Sequence, residues 1–299
     1  MKIVVTGSLG HISKPLTQEL VEKGHSVTVI SSKAERNIEI ENIGANTAIG
    51  SIDDVHFLTA TFKGADIVYL MEPPFNFFDH SIDVEAYWLN IAKSYVQATQ
   101  QSGVTKVVHL SSIGGHTDKG VGMLATHHLV ENILRKLPNV VSIKTMRPVG
   151  FYYNMFAFIH SIKTQDSIVQ NYKASYKEPW VSPLDIASVI AEEIELPFDG
   201  RTIRYIASDE LTSDEVAKIL GEAIEKPDLE WIAIPDEQLL GGLLAAGFNP
   251  QIAKGLIEMN VARQGNGTLF DDYNQHKPTL GKVKLTDFAK EFAAVYNQQ

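Results

Sequence analysis

The residues with the most recognisable chemistry stand near the start of the chain. Thr6-Gly7-Ser8-Leu9-Gly10-His11-Ile12-Ser13 follows a short apolar run, residues 3–5, and leads into Ile12, Leu16, Leu20 and Val21 at helical spacing. Glycines in such a turn let the backbone bend sharply and approach a pyrophosphate, whose charge is stabilised by the free N–H groups of the helix that follows. Thr6, Gly7, Ser8, Leu9, Gly10, His11 and Ile12 are therefore the expected cofactor cradle. Ser13 occupies the place of a third glycine, which predicts a slightly wider helix-to-strand contact. About twenty residues further on, an NAD-selective site carries a carboxylate for the ribose 2′-hydroxyl. Here the chain has Ser31, Ser32 and Lys33, followed by Arg36. Hydroxyls with two cations suit a 2′-phosphate, so NADP(H) is preferred over NAD(H).

These residues need a scaffold, and the patterning supplies one. Residues 3–5, 25–30, 65–71, 104–110 and 140–146 are short apolar runs, alternating with amphipathic stretches such as Val84, Trp88, Ile91, Tyr95 and Val96. Buried strands alternating with helices predict an α/β fold with a doubly wound parallel sheet of the Rossmann kind. Residues 1–150, with 181–207 returning to them, are read as the nucleotide-binding domain. Residues 151–180 and 208–299 are read as a smaller, mainly helical C-terminal lobe that covers the substrate. The apolar segment 239–259 is expected to be helical and packed into the core.

Composition narrows the chemistry. The 299 residues include no cysteine, which excludes disulfides, thiolate metal sites and a cysteine nucleophile. A net charge of −10 argues against nucleic-acid binding. Residues 1–36 hold five basic and three acidic side chains and lean positive, in contrast to the rest. The opening residues run directly into a strand pattern and no apolar run is long enough to span a bilayer, so a cytoplasmic protein is expected.

Several further motifs share an order and spacing: Phe62-Lys63-Gly64-Ala65-Asp66, Leu110-Ser111-Ser112, Met146-Arg147-Pro148-Val149-Gly150-Phe151, Trp180-Val181-Ser182-Pro183-Leu184-Asp185-Ile186-Ala187, and Pro278-Thr279-Leu280 with Asp287-Phe288-Ala289. With the glycine loop they make the chain resemble the NmrA-like branch of the short-chain dehydrogenase/reductases, nearly end to end. The resemblance implies a Rossmann domain binding NAD(P) beneath a small substrate lobe. Among the relatives are NADPH-dependent quinone, azo-dye and triphenylmethane reductases, and cofactor sensors without turnover. Two departures stand out. The Tyr-x-x-x-Lys pair typical of the superfamily is replaced by His127-His128-Leu129-Val130-Glu131, and Gly50-Ser51-Ile52 stands where many relatives have Gly-Asp-Leu.

The resemblance places Ser111 and Glu131 with the cofactor contacts, and Ser112 and His127 as candidate catalytic residues. His127 and Glu131 are one helical turn apart, so the carboxylate is expected to raise the imidazole pKa and fix its tautomer. Two roles are open for His127: proton donor to a reduced acceptor, or hydrogen-bond partner of the nicotinamide ribose. No metal site is expected, since His127 and His128 diverge on a helix. Phe75, Phe77 and Phe78, with Phe151, Tyr152, Tyr153, Phe156 and Phe158, are expected to line one crevice suited to a planar acceptor such as a quinone. Asp53-Asp54 and Asp271-Asp272 read as solvated acidic pairs. The reading is an NADP(H)-dependent reductase of a small, conjugated acceptor, with a non-catalytic NADP(H) sensor as the competing class; both need the same cradle.

Overall fold

The computed structural model describes residues 1–264 and 268–298. Its first half repeats strand and helix: β1 (Lys2–Val5), α1 (Ser13–Glu22), β2 (Ser26–Ser31), α2 (Asn37–Asn42), β3 (Asn46–Ile49), α3 (Val55–Phe62), β4 (Ile67–Met71), α4 (Val84–Ser102), β5 (Lys106–Leu110), α5 (Ala125–Leu134) and β6 (Ser142–Pro148). The second half adds β7 (Gly150–Phe151), α6 (Ile159–Gln165), β8 (Ser167–Gln170), β9 (Glu178–Val181), α7 (Pro183–Glu195), β10 (Arg201–Ile206), β11 (Asp209–Leu211), α8 (Ser213–Ala223), β12 (Glu230–Ala233), α9 (Asp236–Ala245), α10 (Pro250–Ala262), α11 (Asp271–Gln275) and α12 (Leu285–Gln298).

Seven strands form one sheet in the order β10-β6-β5-β4-β1-β2-β3, with every pairing parallel. The winding reverses between β1 and β4, and a sheet of this kind opens a crevice outside the carboxyl ends of those strands. Side chains alternate between its two faces. One face packs Leu16 and Leu20 of α1 with Ile186 and Ile190 of α7. The other packs Leu58 of α3, Ile91 and Tyr95 of α4, and Val130 and Leu134 of α5. Helix starts are fixed locally: Asp54 caps α3, Asp83 caps α4, and Ser182 caps α7 ahead of Pro183.

A separate core gathers Tyr152, Phe158, Ile162, Trp231, Leu220, Phe288 and Phe292. Two small sheets, β11-β9-β7 and β12-β8, accompany it. The segment 239–259 differs from expectation. It breaks into α9 and α10 around Gly247 (φ +89°) and Pro250, and α9 carries no buried residue. Two glycines and the break leave α9 too short to lay a continuous apolar stripe on the core.

Candidate active site

The glycine loop sits at the switch point. Gly7 has φ +88°, and a Cβ built on it would stand 2.3 Å from Met71 Sδ and 2.5 Å from Ser13 Oγ, so only glycine passes here. Ser8, also in the left-handed region at φ 52°, donates its N–H to the Ile30 carbonyl (3.2 Å) and its hydroxyl to Ser31 Oγ (2.9 Å). The loop is thereby fastened to β2. Gly10 closes the turn by donating to the Gly7 carbonyl at 3.2 Å. Helix α1 has no side-chain cap at Ile12; Lys14 N–H already donates to the Gly10 carbonyl (3.0 Å) and Pro15 has none, so among the described residues the amides of His11, Ile12 and Ser13 are the ones left for an anion. The chemistry of this cradle fits a dinucleotide pyrophosphate.

The expected cradle residues divide. Thr6 is fully buried and stitches strands together, donating Oγ1–H to the Tyr69 carbonyl (3.1 Å) and accepting the Met71 N–H (3.0 Å). Leu9 and Ile12 pack into the core. His11 is exposed and stacks on Tyr153, ring centroids 4.9 Å apart. Ser13 is buried and donates to the Thr6 carbonyl at 3.0 Å, so its hydroxyl is absorbed by the helix-to-strand contact.

At the end of β2 the hydroxyl of Ser31 is buried against Ser8 and the Lys33 N–H (3.2 Å), whereas Ser32 and Lys33 are exposed. Arg36 donates to Glu39 Oε2 at 2.8 Å, and Lys14 donates to Oε1 of the same carboxylate at 3.1 Å. Lys14, foremost, and Arg36 hold the Glu39 carboxyl below its ordinary pKa. Sequence reasoning missed Lys14 and Glu39. The signal was available: Lys14 opens the helix after the loop, and Glu39 lies one turn beyond Arg36.

Helix α5 places His127 and Glu131 one turn apart, yet no hydrogen bond joins them among the described residues. Glu131 Oε1 accepts from Ser111 Oγ (2.6 Å) and Arg147 Nε (2.9 Å); Oε2 accepts from Arg147 Nη2 (2.7 Å) and Arg135 Nη2 (2.9 Å). Burial opposes charge on Glu131, but Arg147 and Ser111 outweigh it and hold the carboxyl below its usual range. Asp272 corrects the reading as a solvated pair, because its Oδ2 accepts from Arg147 Nη1 (2.9 Å) and the Tyr205 hydroxyl (2.6 Å). Gly115 makes room for this network: a Cβ there would fall 2.3 Å from Glu131 Oε1.

His127 lies half-buried with its ring centroid 5.0 Å from that of Trp88 and its Nδ1 buried without a partner among the described residues. Burial pushes its pKa down to about 4, against the attraction of Glu72 and, more weakly, Glu131. The rise expected from Glu131 is only a weak contribution, with that carboxylate bonded to Arg147, Arg135 and Ser111, and burial overrides it. Ser112 is half-buried, and its hydroxyl makes no hydrogen bond among the described residues. Glu72 and His109, which sequence reasoning missed, lie on the same side of the sheet as His127, with His109 Nε2 3.2 Å from both Glu72 oxygens. A histidine inside an apolar strand was the signal.

The aromatic residues do not form one wall. Tyr153 stacks on His11 and touches Phe151, at 5.2 Å, beside the glycine loop. Tyr152 and Phe158 turn into the separate core, and Phe156 packs on Phe288 and Phe292. Phe75 meets Trp88, while Phe77 and Phe78 meet Phe248. Asn249 ties that loop to the start of α10, donating its N–H to the Phe77 carbonyl (2.9 Å) and its Nδ2–H to the Asp79 carbonyl (2.9 Å).

In sequence the chain is 22% identical over 258 residues to an NAD(P)H azoreductase of Xenophilus azovorans, which covers 86% of this chain and 85% of the relative. In structure it is similar to the triphenylmethane reductase of Citrobacter sp. complexed with NADP(H), at TM-score 0.75 and 17% identity over 97% of this chain and 99% of that one. It is equally similar to a nucleoside-diphosphate-sugar epimerase from Staphylococcus aureus, at TM-score 0.75 and 14% identity over 97% and 100% of the two chains. The structural likenesses establish a fold shared by reductases and epimerases. The description of the NmrA-like family matches residues 1–287, and the chain belongs to that family.

Proposed function

We propose that this chain is an NADP(H)-dependent reductase that passes hydride to a quinone-like or other conjugated acceptor. The observation that carries the reading is the pairing, at the carboxyl edge of one sheet, of the Gly7 cradle with an α5 that bears His127 and Glu131 where a tyrosine–lysine pair is expected. The cradle fits a dinucleotide. Without a tyrosine made acidic by a neighbouring lysine, the oxidation of alcohols that epimerases and ordinary dehydrogenases perform lacks its base. Reduction of a conjugated acceptor needs only a weak acid, and the proteins this chain is similar to include an NAD(P)H azoreductase and a triphenylmethane reductase.

In this reading the turn built by Gly7, Ser8 and Gly10 lets the pyrophosphate approach, the amides of His11, Ile12 and Ser13 receive it, and Lys14, Ser32, Lys33 and Arg36 receive the 2′-phosphate. Bound reduced nicotinamide supplies the hydride. Ser112 donates a hydrogen bond to the acceptor's oxygen or nitrogen, His127 supplies the proton, and Ser111 and Glu131 hold the floor of the site. Tyr153 and Phe151 offer ring faces to a planar acceptor. The division into a nucleotide-binding unit, residues 1–150 and 181–207, and a covering lobe, 151–180 and 208–299, is part of the proposal.

The test is turnover. Incubation with NADPH and a panel of quinones and azo dyes is expected to consume nicotinamide absorbance. Tight NADPH binding with no oxidation by any acceptor would instead favour the sensor class. Equal affinities for NADPH and NADH, unchanged in Lys33→Ala/Arg36→Ala, would sink the cofactor preference.

A further inference from the structure

An unbroken file of ring contacts joins His127 to the protein surface. The His127 ring lies 5.0 Å from that of Trp88 on α4, and Trp88 lies 5.6 Å from Phe75 in the loop after β4. Phe75 meets Phe77 at 5.2 Å, Phe77 meets Phe248 at 5.9 Å, and Phe248, between α9 and α10, meets Phe78 at 4.8 Å. Exposure climbs outward along the file: Trp88 is 9% exposed, Phe75 is half-buried, Phe77 is 39% exposed and Phe78 54%. Helix α9 extends the apolar surface past Phe78. A Cβ built on Gly247, at the end of that helix, would stand 3.9 Å from the Phe78 ring, and one on Gly241 or Gly242 would meet nothing within 4 Å. No residue of α9 is buried, and Leu244 is 42% exposed.

These outer rings are held in place by hydrogen bonds. Asn249, itself buried, donates its N–H to the Phe77 carbonyl (2.9 Å) and its Nδ2–H to the Asp79 carbonyl (2.9 Å). Asn76 Oδ1 accepts the Phe78 N–H at 3.0 Å, and His80 Nε2, 3.1 Å from the Gly247 carbonyl, joins the loop to the end of α9 a second time. The backbone thus keeps contiguous apolar faces turned to water, where they lose free energy in proportion to their area. A contiguous patch of this kind marks a place that a ligand or partner covers. The covering group has to suit both ends of the file. A flat macromolecular surface covers Phe77, Phe78 and Leu244 but does not reach Trp88 or His127. A compact ring reaches His127 and leaves the outer phenylalanines wet. A ring that carries a hydrocarbon chain does both.

We propose that the acceptor is amphiphilic: a reducible ring seated at His127, with a hydrocarbon chain that leaves the ring beside Trp88 and runs over Phe75, Phe77 and Phe248 to Phe78 and α9. The proposal rests on the reductase reading given above and names the substrate class of that site. Phe77, Phe78 and Phe248 set specificity by apolar contact and take no part in hydride or proton transfer. A methylene buried on all sides strengthens binding about fourfold. The file covers one side of the chain, so the gain per methylene is a fraction of that.

The experiment is steady-state kinetics of the full chain with NADPH and a series of 1,4-benzoquinones that bear no chain, a butyl chain or a decyl chain on the same ring, each below the concentration at which it forms micelles. Wild type is expected to raise kcat/KM about 10- to 100-fold from the bare to the decyl quinone, chiefly through KM, with the butyl quinone in between. Phe78→Ser, at an exposed position, is expected to cut that decyl-to-bare ratio about three- to tenfold. Equal kcat/KM across the series in wild type, or an unchanged ratio in Phe78→Ser, would overturn the chain site. So would sedimentation of wild type as a dimer that Phe78→Ser dissociates, because a second copy would then cover the patch. Calorimetric binding of the same quinones to the chain loaded with NADP⁺ separates this proposal from the reading beneath it. Affinity that rises with chain length and falls in Phe78→Ser, with no turnover of any quinone, would refute the reductase and leave the chain site standing.

Discussion

Two buried carboxylates, Glu131 of α5 and Glu72 at the end of β4, are treated in opposite ways. Glu131 receives four hydrogen bonds, from Ser111, Arg135 and twice from Arg147, and Arg147 is itself completed by Asp272 and Tyr205. Glu72, reached from His109 two residues before Ser111 on β5, receives one imidazole and leaves two buried ring nitrogens without partners. A saturated network rigidifies, and its members have nothing left to exchange with a ligand. An unsaturated one leaves polar atoms open to water or a ligand. The difference separates a region that holds geometry from one with hydrogen-bonding capacity to spare, although His127 and Glu131 lie a single turn apart.

The sharpest way to break this comparison is to remove a partner from each side. Arg147→Met leaves the buried Glu131 carboxylate with only Arg135, from the surface, and Ser111, and is expected to cost about 3–5 kcal/mol in urea unfolding. The next largest effect concerns His127 and depends on pH. Its folded pKa of about 4 lies below the unfolded value of about 6.5, so the unfolded chain binds the proton first. The contribution to stability is therefore complete above pH 6.5 and declines as pH falls towards 4, by up to about 3 kcal/mol. Unfolding free energies of wild type and His127→Asn, measured at pH 7 and pH 4.5, should converge at the lower pH by that amount; a parallel offset would contradict it. Glu72→Gln retains its shape and one hydrogen-bonding oxygen, and is expected to change stability at pH 7 by no more than about 1 kcal/mol. A loss as large as that of Arg147→Met would mean the two carboxylates are equivalent, and the contrast would fail.

The sequence showed the scaffold and one end of the site better than the other. Apolar runs alternating with helical periodicity mark the sheet, because a parallel strand covered on both faces has no room for another pattern. Gly7 is legible because no other residue meets its turn, and Gly10 because it closes that turn. The end around α5 was misread wherever a polar side chain acts through a residue far away in sequence. Asp272 appeared solvated until Arg147 and Tyr205 were brought to it, and Glu131 appeared to serve His127 until Arg147 claimed it. His109 and Glu72 were hidden in and beside apolar strands, where a single polar residue does not alter the period. The aromatic run after Gly150 was misassigned for a local reason. Residues 152–158 form a 3-10 turn, so Tyr152, Met155 and Phe158 repeat every third residue into the core and leave Tyr153 facing the loop.

The smallest effect tests whether saturation or burial sets the rank of a carboxylate. Glu39 is doubly paired, as Glu131 is with its arginines, but its side chain is 43% exposed and its partners Lys14 and Arg36 are 44% and 40% exposed. Exposed pairs of this kind contribute little to stability, because water already screens both charges. Glu39→Gln should therefore barely move the unfolding midpoint. Its effect belongs to binding. If Lys14 and Arg36 receive a 2′-phosphate, Glu39 competes for them, and its neutralisation should tighten NADPH by about two- to fivefold, less at high salt, while leaving NADH unchanged. Titration calorimetry with both cofactors at two salt concentrations reads this directly. A matching gain for NADH would show that Glu39 acts on the whole loop and not on a phosphate site, and a large loss of stability would show that pairing outranks burial.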